Sequence, residues 1–191
     1  MKRSFTLIEL IIVLGIMSIV GLLLIVFVKN GYGIYLRGQI NSTITAEAHD
    51  LTSRIANGLR GTFKVISATN TSFSSQTYFA PNDTVPTQIT VTKAGSTVTL
   101  ATIPGVIQGD GTYVYNPGTS VTKTIASHFV TNPTIPLFQY YNELGVLLGN
   151  PVDIGNVHLI GINATIYSTL DVTKTSTGST RVEFRNLKTN L

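Results

Sequence analysis

The chain has no cysteine, which excludes disulfide staples and thiolate-bound zinc but leaves its redox compartment open. Charge is scarce as well. Asp, Glu, Lys and Arg make up 12% of the 191 residues, about half the share usual in a soluble domain, and Thr, Ser, Asn and Gly stand where salt-bridging side chains would be. The thirteen Lys and Arg are scattered from Lys2 to Lys188 without a dense basic run, so the net charge of +4 reads as solubility and gives no clear nucleic-acid site. Signatures of catalysis are missing too. His49, His128 and His158 lie far apart with no H-x-x-x-H spacing, no G-x-S-x-G elbow occurs, and no lysine follows a glycine-rich phosphate loop. Asp110, Asp153 and Asp171 each sit beside turn-forming residues, where a carboxylate commonly bonds its own backbone. We read no catalytic residue, no metal ligand set and no cofactor site, and expect a chain that is not an enzyme. Internal repeats are absent, and the length fits one domain plus an accessory segment.

What the sequence does have is one long apolar run. Leu10 to Val28 reads LIIVLGIMSIVGLLLIVFV, nineteen residues without a charge. As a helix it spans about 28 Å, enough to cross the hydrocarbon of a bilayer. A secretory signal has a shorter apolar core followed by small residues at the cut, whereas here Val28 leads into Lys29 and Asn30. Lys2 and Arg3 precede the span, so the positive-inside tendency keeps the N-terminus cytoplasmic and sends the remainder outward, although Lys29 and Arg37 weaken that preference.

Glu9 stands at the mouth of this run, where a carboxylate is costly. Either it snorkels to the headgroups or a cation compensates it. Were the chain cut between Ser4 and Phe5, a new α-amino group on Phe5 would lie four positions before Glu9, and a neighbouring helix could present that ammonium to the carboxylate. Lys2-Arg3-Ser4 followed by Phe5-Thr6-Leu7-Ile8-Glu9-Leu10 resembles the class III leader of type IV pilins and type II secretion pseudopilins. The resemblance implies that prepilin peptidase cuts between Ser4 and Phe5 and methylates the Phe5 amine, and that Glu9 pairs with the amine of an adjacent subunit during filament assembly. The residue before the cut, usually Gly in that family, is Ser4 here.

Beyond the span, Gly31 and Gly33 each cost about 1 kcal/mol relative to Ala within a helix, so a bend or softened turn is expected there. Ile40, Ile44, Ala48, Leu51, Ile55 and Leu59 then recur at spacings of three and four, an amphipathic helix with Gln39, Glu47, Asp50, Arg54 and Arg60 on its other face and Gly61 as its stop. After Gly61 the pattern changes to strands. Phe63 to Ile66, a hairpin of 89–92 and 97–100, 113–115, 121–130, 137–141, 157–167 and 180–184 are the expected strands, with 76–88 and 105–111 as loops. The fold class is therefore α+β: a long N-terminal helix packed on a mostly antiparallel head.

Phe138-Gln139-Tyr140-Tyr141-Asn142-Glu143-Leu144-Gly145 is similar to the F-x-Y-Y-x-x-x-G hairpin of the minor pilin W and pseudopilin J group. Val157-x-x-Ile160-x-Ile162 and Arg181-Val182-Glu183-Phe184-Arg185-Asn186 are similar to that group's last strands. Bottom-up, these are fold positions, with Tyr140 and Tyr141 on opposite faces of a strand. The absence of Pro between Phe5 and Lys29, and of the cysteines for a C-terminal disulfide, also fits a minor subunit better than a major one. The resemblance thus implies a leader at 1–4, a transmembrane and assembly helix at 5–29, an amphipathic second half at 30–61 and a β-rich head at 62–191. It implies a minor pilin or pseudopilin in the cytoplasmic membrane with its head outside, later in an extracellular or periplasmic filament. Its partners would be other pilin subunits, prepilin peptidase and the inner-membrane assembly platform. The competing expectation is a permanently anchored extracytoplasmic binding domain of adhesin type.

Overall fold

A computed structural model describes residues 6–78, 83–130 and 135–184. The chain divides into two units, Met1–Ser42 and Thr43–Leu191, and one helix, α1 (Leu7–Leu59), contributes to both. The α-helical backbone continues without interruption through Asn30-Gly31-Tyr32-Gly33, where the glycines predicted a softened turn. Each Gly keeps its N–H and C=O in the ladder, and ending a helix and nucleating it again costs more than two unfavourable propensities.

In the second unit α1 buries one stripe: Ile44, Ala48, Leu51, Ile55 and Leu59, broadened by Thr52 and Ala56. Ile40, the first residue of the predicted stripe, is half-buried. The Thr52 hydroxyl donates to the Ala48 carbonyl at 3.1 Å, which removes the cost of its burial. On the exposed side Arg54 pairs with Asp50 at 2.7 Å, a contact worth about 0.3–0.5 kcal/mol at such exposure. Gly61 follows the helix end for a steric reason. A Cβ there would collide with the Tyr78 carbonyl oxygen, whose own residue donates back to the Gly61 carbonyl at 3.3 Å.

Six strands form the first sheet: β1 (Thr62–Ala68), β2 (Ser72–Thr77), β3 (Thr87–Ala94), β4 (Thr97–Ile107), β5 (Tyr113–Tyr115) and β6 (Val121–Ala126). They run in the order β1-β2-β3-β4-β5, with β6 also on β4, and every pairing is antiparallel. The β3–β4 connection is tighter than the four residues expected. Ala94 pairs with Thr97, and Gly95 has φ +59 while no non-glycine among the described residues has positive φ, the pattern of a type II′ turn. The predicted loop 105–111 shrinks because β4 runs on to Ile107. Gly105 lets it, since a Cβ would sit 2.7 Å from the Pro86 carbonyl oxygen. Strand β2 was not expected at all, and it also takes Gln76 and Thr77 from the predicted loop 76–88. Its sequence SFSSQT has one apolar residue, yet Ser74, Ser75 and Thr77 are buried. Their hydroxyls find partners instead: Ser74 with Thr90 at 2.9 Å, Ser75 with Thr62 at 3.1 Å, and Thr77 donating to the Gly58 carbonyl at 3.1 Å.

The second sheet is β7 (Phe138–Tyr141), β8 (Leu159–Tyr167) and β9 (Thr175–Glu183), antiparallel in that order. After β7, Asn142 to Gly145 forms a turn, with Gly145 N–H donating to the Asn142 carbonyl at 3.0 Å; its return is a single bridge, Tyr141 to Leu147. Tyr140 is buried and Tyr141 lies on the other face, half-exposed. Arg185 and Asn186 lie outside the described residues. Strand β9 starts five residues before the predicted Thr180, because Gly178 permits contact with α1: a Cβ would come within 2.6 Å of the Ala48 carbonyl oxygen.

Aromatic side chains join the two sheets. Phe73 of β2 has ring centroids 6.0 Å from Phe138, 6.0 Å from Tyr140 and 5.9 Å from Phe184, within the range of favourable ring pairs. The Tyr140 hydroxyl donates to the Thr69 carbonyl at 2.8 Å, and burial pushes its pKa up. A second stitch is Phe129, whose N–H donates to the Ser96 carbonyl at 2.9 Å while Val130 N–H reaches Thr165 at 2.7 Å.

The three turn aspartates bond their own loops, as their neighbours predicted. Asp110 accepts from the Thr112 hydroxyl at 2.7 Å and N–H at 3.0 Å, Asp153 from Gly155 N–H at 3.2 Å, and Asp171 from the Thr173 hydroxyl at 2.6 Å.

Two predictions follow from this packing. Gly178→Val is expected to cost about 2–3 kcal/mol through the forced separation of strand and helix, read by denaturant unfolding, against no more than about 0.5 kcal/mol for the exposed Thr175→Ala. The hydroxyl and N–H of Thr112 hold the Asp110 carboxyl below the usual range, so this turn gains stability above the unfolded carboxyl's pKa and loses it as pH falls through the lowered value. An NMR titration should show a depressed midpoint for Asp110 that moves back up in Thr112→Val.

Candidate functional site

The start of α1 explains locally how Glu9 is accommodated. Thr6 precedes the helix and Glu9 is its third residue, the spacing of a reciprocal cap. Thr6 N–H and the Thr6 hydroxyl each donate to Glu9 Oε2 at 3.0 Å, and Glu9 N–H reaches back to Thr6 Oγ1 at 3.4 Å. Leu10 N–H then closes the first helical turn on the Thr6 carbonyl at 3.3 Å. Two of the free N–H groups at the helix start are thereby satisfied, and a carboxylate sits at the positive end of the macrodipole. Thr6 was not singled out from the sequence, although the signal T-x-x-E before an apolar run was there to read. Ser4 and Phe5 lie outside the described residues.

From Leu10 to Val28 the sixteen bulky apolar side chains are between 44% and 76% exposed. At about 1.5–3 kcal/mol for each fully covered side chain, covering them is worth on the order of 20 kcal/mol. That exceeds the net stability of a typical domain, about 5–15 kcal/mol, so this surface does not persist in water. Ser18 is the single polar side chain of the run, and its hydroxyl donates to the Leu14 carbonyl at 2.8 Å, leaving no unmet donor. The helix is long and apolar enough to cross a membrane, with a mean hydropathy of 3.2 in its most apolar window.

Nothing comparable gathers around the histidines. His128 Nδ1 lies 3.3 Å from the Ser127 hydroxyl, and its ring meets Tyr167 edge-on at 5.6 Å. With Glu47, Asp50 and Arg54 it borders a shallow hollow of about 240 Å³. Among the described residues no three His, Asp or Glu side chains converge as metal ligands.

A family model described as the prokaryotic N-terminal methylation motif matches residues 1–25. No curated protein and no solved structure matches the chain. The motif, covering the basic N-terminal residues, Glu9 and most of the apolar run, supports a type IV pilin-like protein, and together with the long apolar helix it supports anchoring in a membrane.

Proposed function

We propose that this chain is a minor pilin or pseudopilin, a structural and assembly subunit of a type IV pilus or type II secretion-like filament. One observation carries the reading: the methylation motif at 1–25 takes in the start of an apolar helix whose bulky side chains are left largely exposed. The segments act in order. Residues 10–28 insert with the N-terminus cytoplasmic, prepilin peptidase removes residues 1–4 by cutting between Ser4 and Phe5, and the Phe5 amine is methylated. The assembly platform then lifts the subunit out, which is feasible only because the helix passes from lipid to the flanks of sister helices without meeting water. Segment 30–61 seats the head, 62–191, which remains extracytoplasmic. The likeness of 138–145, 157–162 and 181–186 to the pilin W and pseudopilin J group supports a minor place in the filament.

Glu9 has two successive partners in this scheme. In the lone subunit Thr6 satisfies it; in the filament a neighbour's Phe5 amine takes over. The exchange sets register and adds little net energy, since desolvation of an ion pair offsets much of its attraction. Its role is that of an assembly residue, with no reaction catalysed by the chain.

Two measurements test the reading. Mass spectrometry of the mature N-terminus should show loss of Met1 to Ser4 and a methyl group on Phe5; an intact Met1 contradicts it. Glu9→Gln separates capping from pairing, because Gln still caps a helix whereas it carries no charge. The variant should keep its helix content and a folded head yet be missing from purified filaments, as should Glu9→Ala. Thr6→Ala should weaken the helix start by about 1 kcal/mol and still be incorporated. Normal incorporation of Glu9→Gln would refute the ion-pair role.

A further inference from the structure

The outward face of the second sheet carries a polar trough that the filament reading leaves unused. Gln139, Gly161 and Arg181 stand directly across from one another on β7, β8 and β9, and Asn163 and Ser179 form the next row. Gly161 is the floor. A Cβ there would press against the Tyr141 ring at 3.2 Å, so the missing side chain makes room for that ring. The Arg181 guanidinium lies over Tyr141, 5.1 Å from the ring centroid, which fixes the direction of an otherwise free side chain. The trough holds about 320 Å³, at the small end of ligand sites.

Its polar groups are arranged and only partly used. Gln139 Oε1 accepts from the Tyr141 hydroxyl at 3.3 Å and from Asn163 Nδ2 at 3.1 Å. Among the described residues, the two N–H groups of the Gln139 amide and the Asn163 carbonyl oxygen have no partner, and no carboxylate lies within ion-pairing distance of Arg181. Among the described residues Arg181 is the one charged side chain lining the trough; Glu183 stands a row away, opposite Leu159. An occupant must therefore bring one anionic group suited to a planar guanidinium, together with several hydroxyls that both give and accept.

We propose that this trough binds a carboxylated sugar of an acidic polysaccharide, with the carboxylate on Arg181 and ring hydroxyls on Gln139, Asn163 and Ser179. A bidentate carboxylate contact accounts for the guanidinium. An extended peptide is disfavoured because the trough lies over β8, whose backbone is already paired on both sides, so a segment lying in it gains no main-chain hydrogen bonds from its floor. A nucleic acid is disfavoured because a single cation anchors few phosphates, and the Tyr141 ring, covered by Arg181, offers no platform for a base.

The test uses the full-length protein in uncharged detergent micelles and ligand-observed NMR with tetramers of galacturonate, mannuronate and guluronate. At least one tetramer should saturate with a dissociation constant in the millimolar range. Its methyl ester, Arg181→Ala and Gln139→Ala should each weaken binding, the first two at least tenfold and the third several-fold, with unchanged thermal melts. Gln139→Ala leaves the Arg181–Tyr141 stack in place and keeps the test decisive if the arginine variant unfolds. The proposal is overturned if no uronate saturates, if tetraglutamate or an oligothymidylate binds as tightly, or if both variants bind like the parent. None of these readouts depends on leader cleavage, so this proposal and the filament role stand or fall separately.

Discussion

The sixteen bulky side chains between Leu10 and Val28 remain 44–76% exposed, and this unmet burial constrains everything else about the molecule. A domain stabilised by about 5–15 kcal/mol cannot hold an apolar surface worth on the order of 20 kcal/mol against water. The helix therefore always requires an apolar surrounding, whether hydrocarbon or other helices. A single hydroxyl, Ser18, interrupts the run, and it is bonded to the backbone four residues earlier; both kinds of surrounding are equally open to such a surface. Proline is absent from the described span, so each backbone group past the first turn stays in the ladder.

The N-terminal end of that helix shows how a carboxylate is tolerated at its edge. A reciprocal cap gives Glu9 two donors from Thr6 and places its charge where the helix dipole is positive. The arrangement is local and exposed, which makes it exchangeable. An ammonium brought up from another chain competes with a neutral hydroxyl and an N–H, groups that water replaces at little cost. A buried, fully satisfied carboxylate would resist such a change of partner, so exposure would let Glu9 serve the proposed subunit both alone and assembled.

Much of the architecture was legible because it follows apolar periodicity. The stripe Ile44, Ala48, Leu51, Ile55 and Leu59, the alternation in β3 and β4, and the apolar inner face of β8 all obey it. Strand β2 and the first half of β9 escaped because their signal is carried by other chemistry. In β2 the buried side chains are hydroxyls paired across strands, and polar residues satisfied in pairs look like a loop when partners are unknown. In β9 the decisive residue is Gly178, whose value lies in what it lacks. Of the functional segment, Glu9 and the span could be read from charge and hydropathy. Thr6 carries neither charge nor hydropathy, and its role follows only from the N–H groups left free at the helix start.

The same shortage of charge gives the head its particular surface. With few carboxylates available, hydroxyl pairs such as Thr165 with Thr177 at 2.9 Å and Thr45 with Ser176 at 3.0 Å do the cross-linking that ion pairs do elsewhere. Neutral pairs need no counter-charge and are insensitive to salt, and like heads brought side by side in a filament would repel one another little. A consequence appears on the outer face of the second sheet. Where charges are sparse, a guanidinium with no ion pair among the described residues weighs heavily in the local potential, and Arg181, held over Tyr141 beside a trough of amides and hydroxyls, becomes the feature that an anionic ligand would meet first.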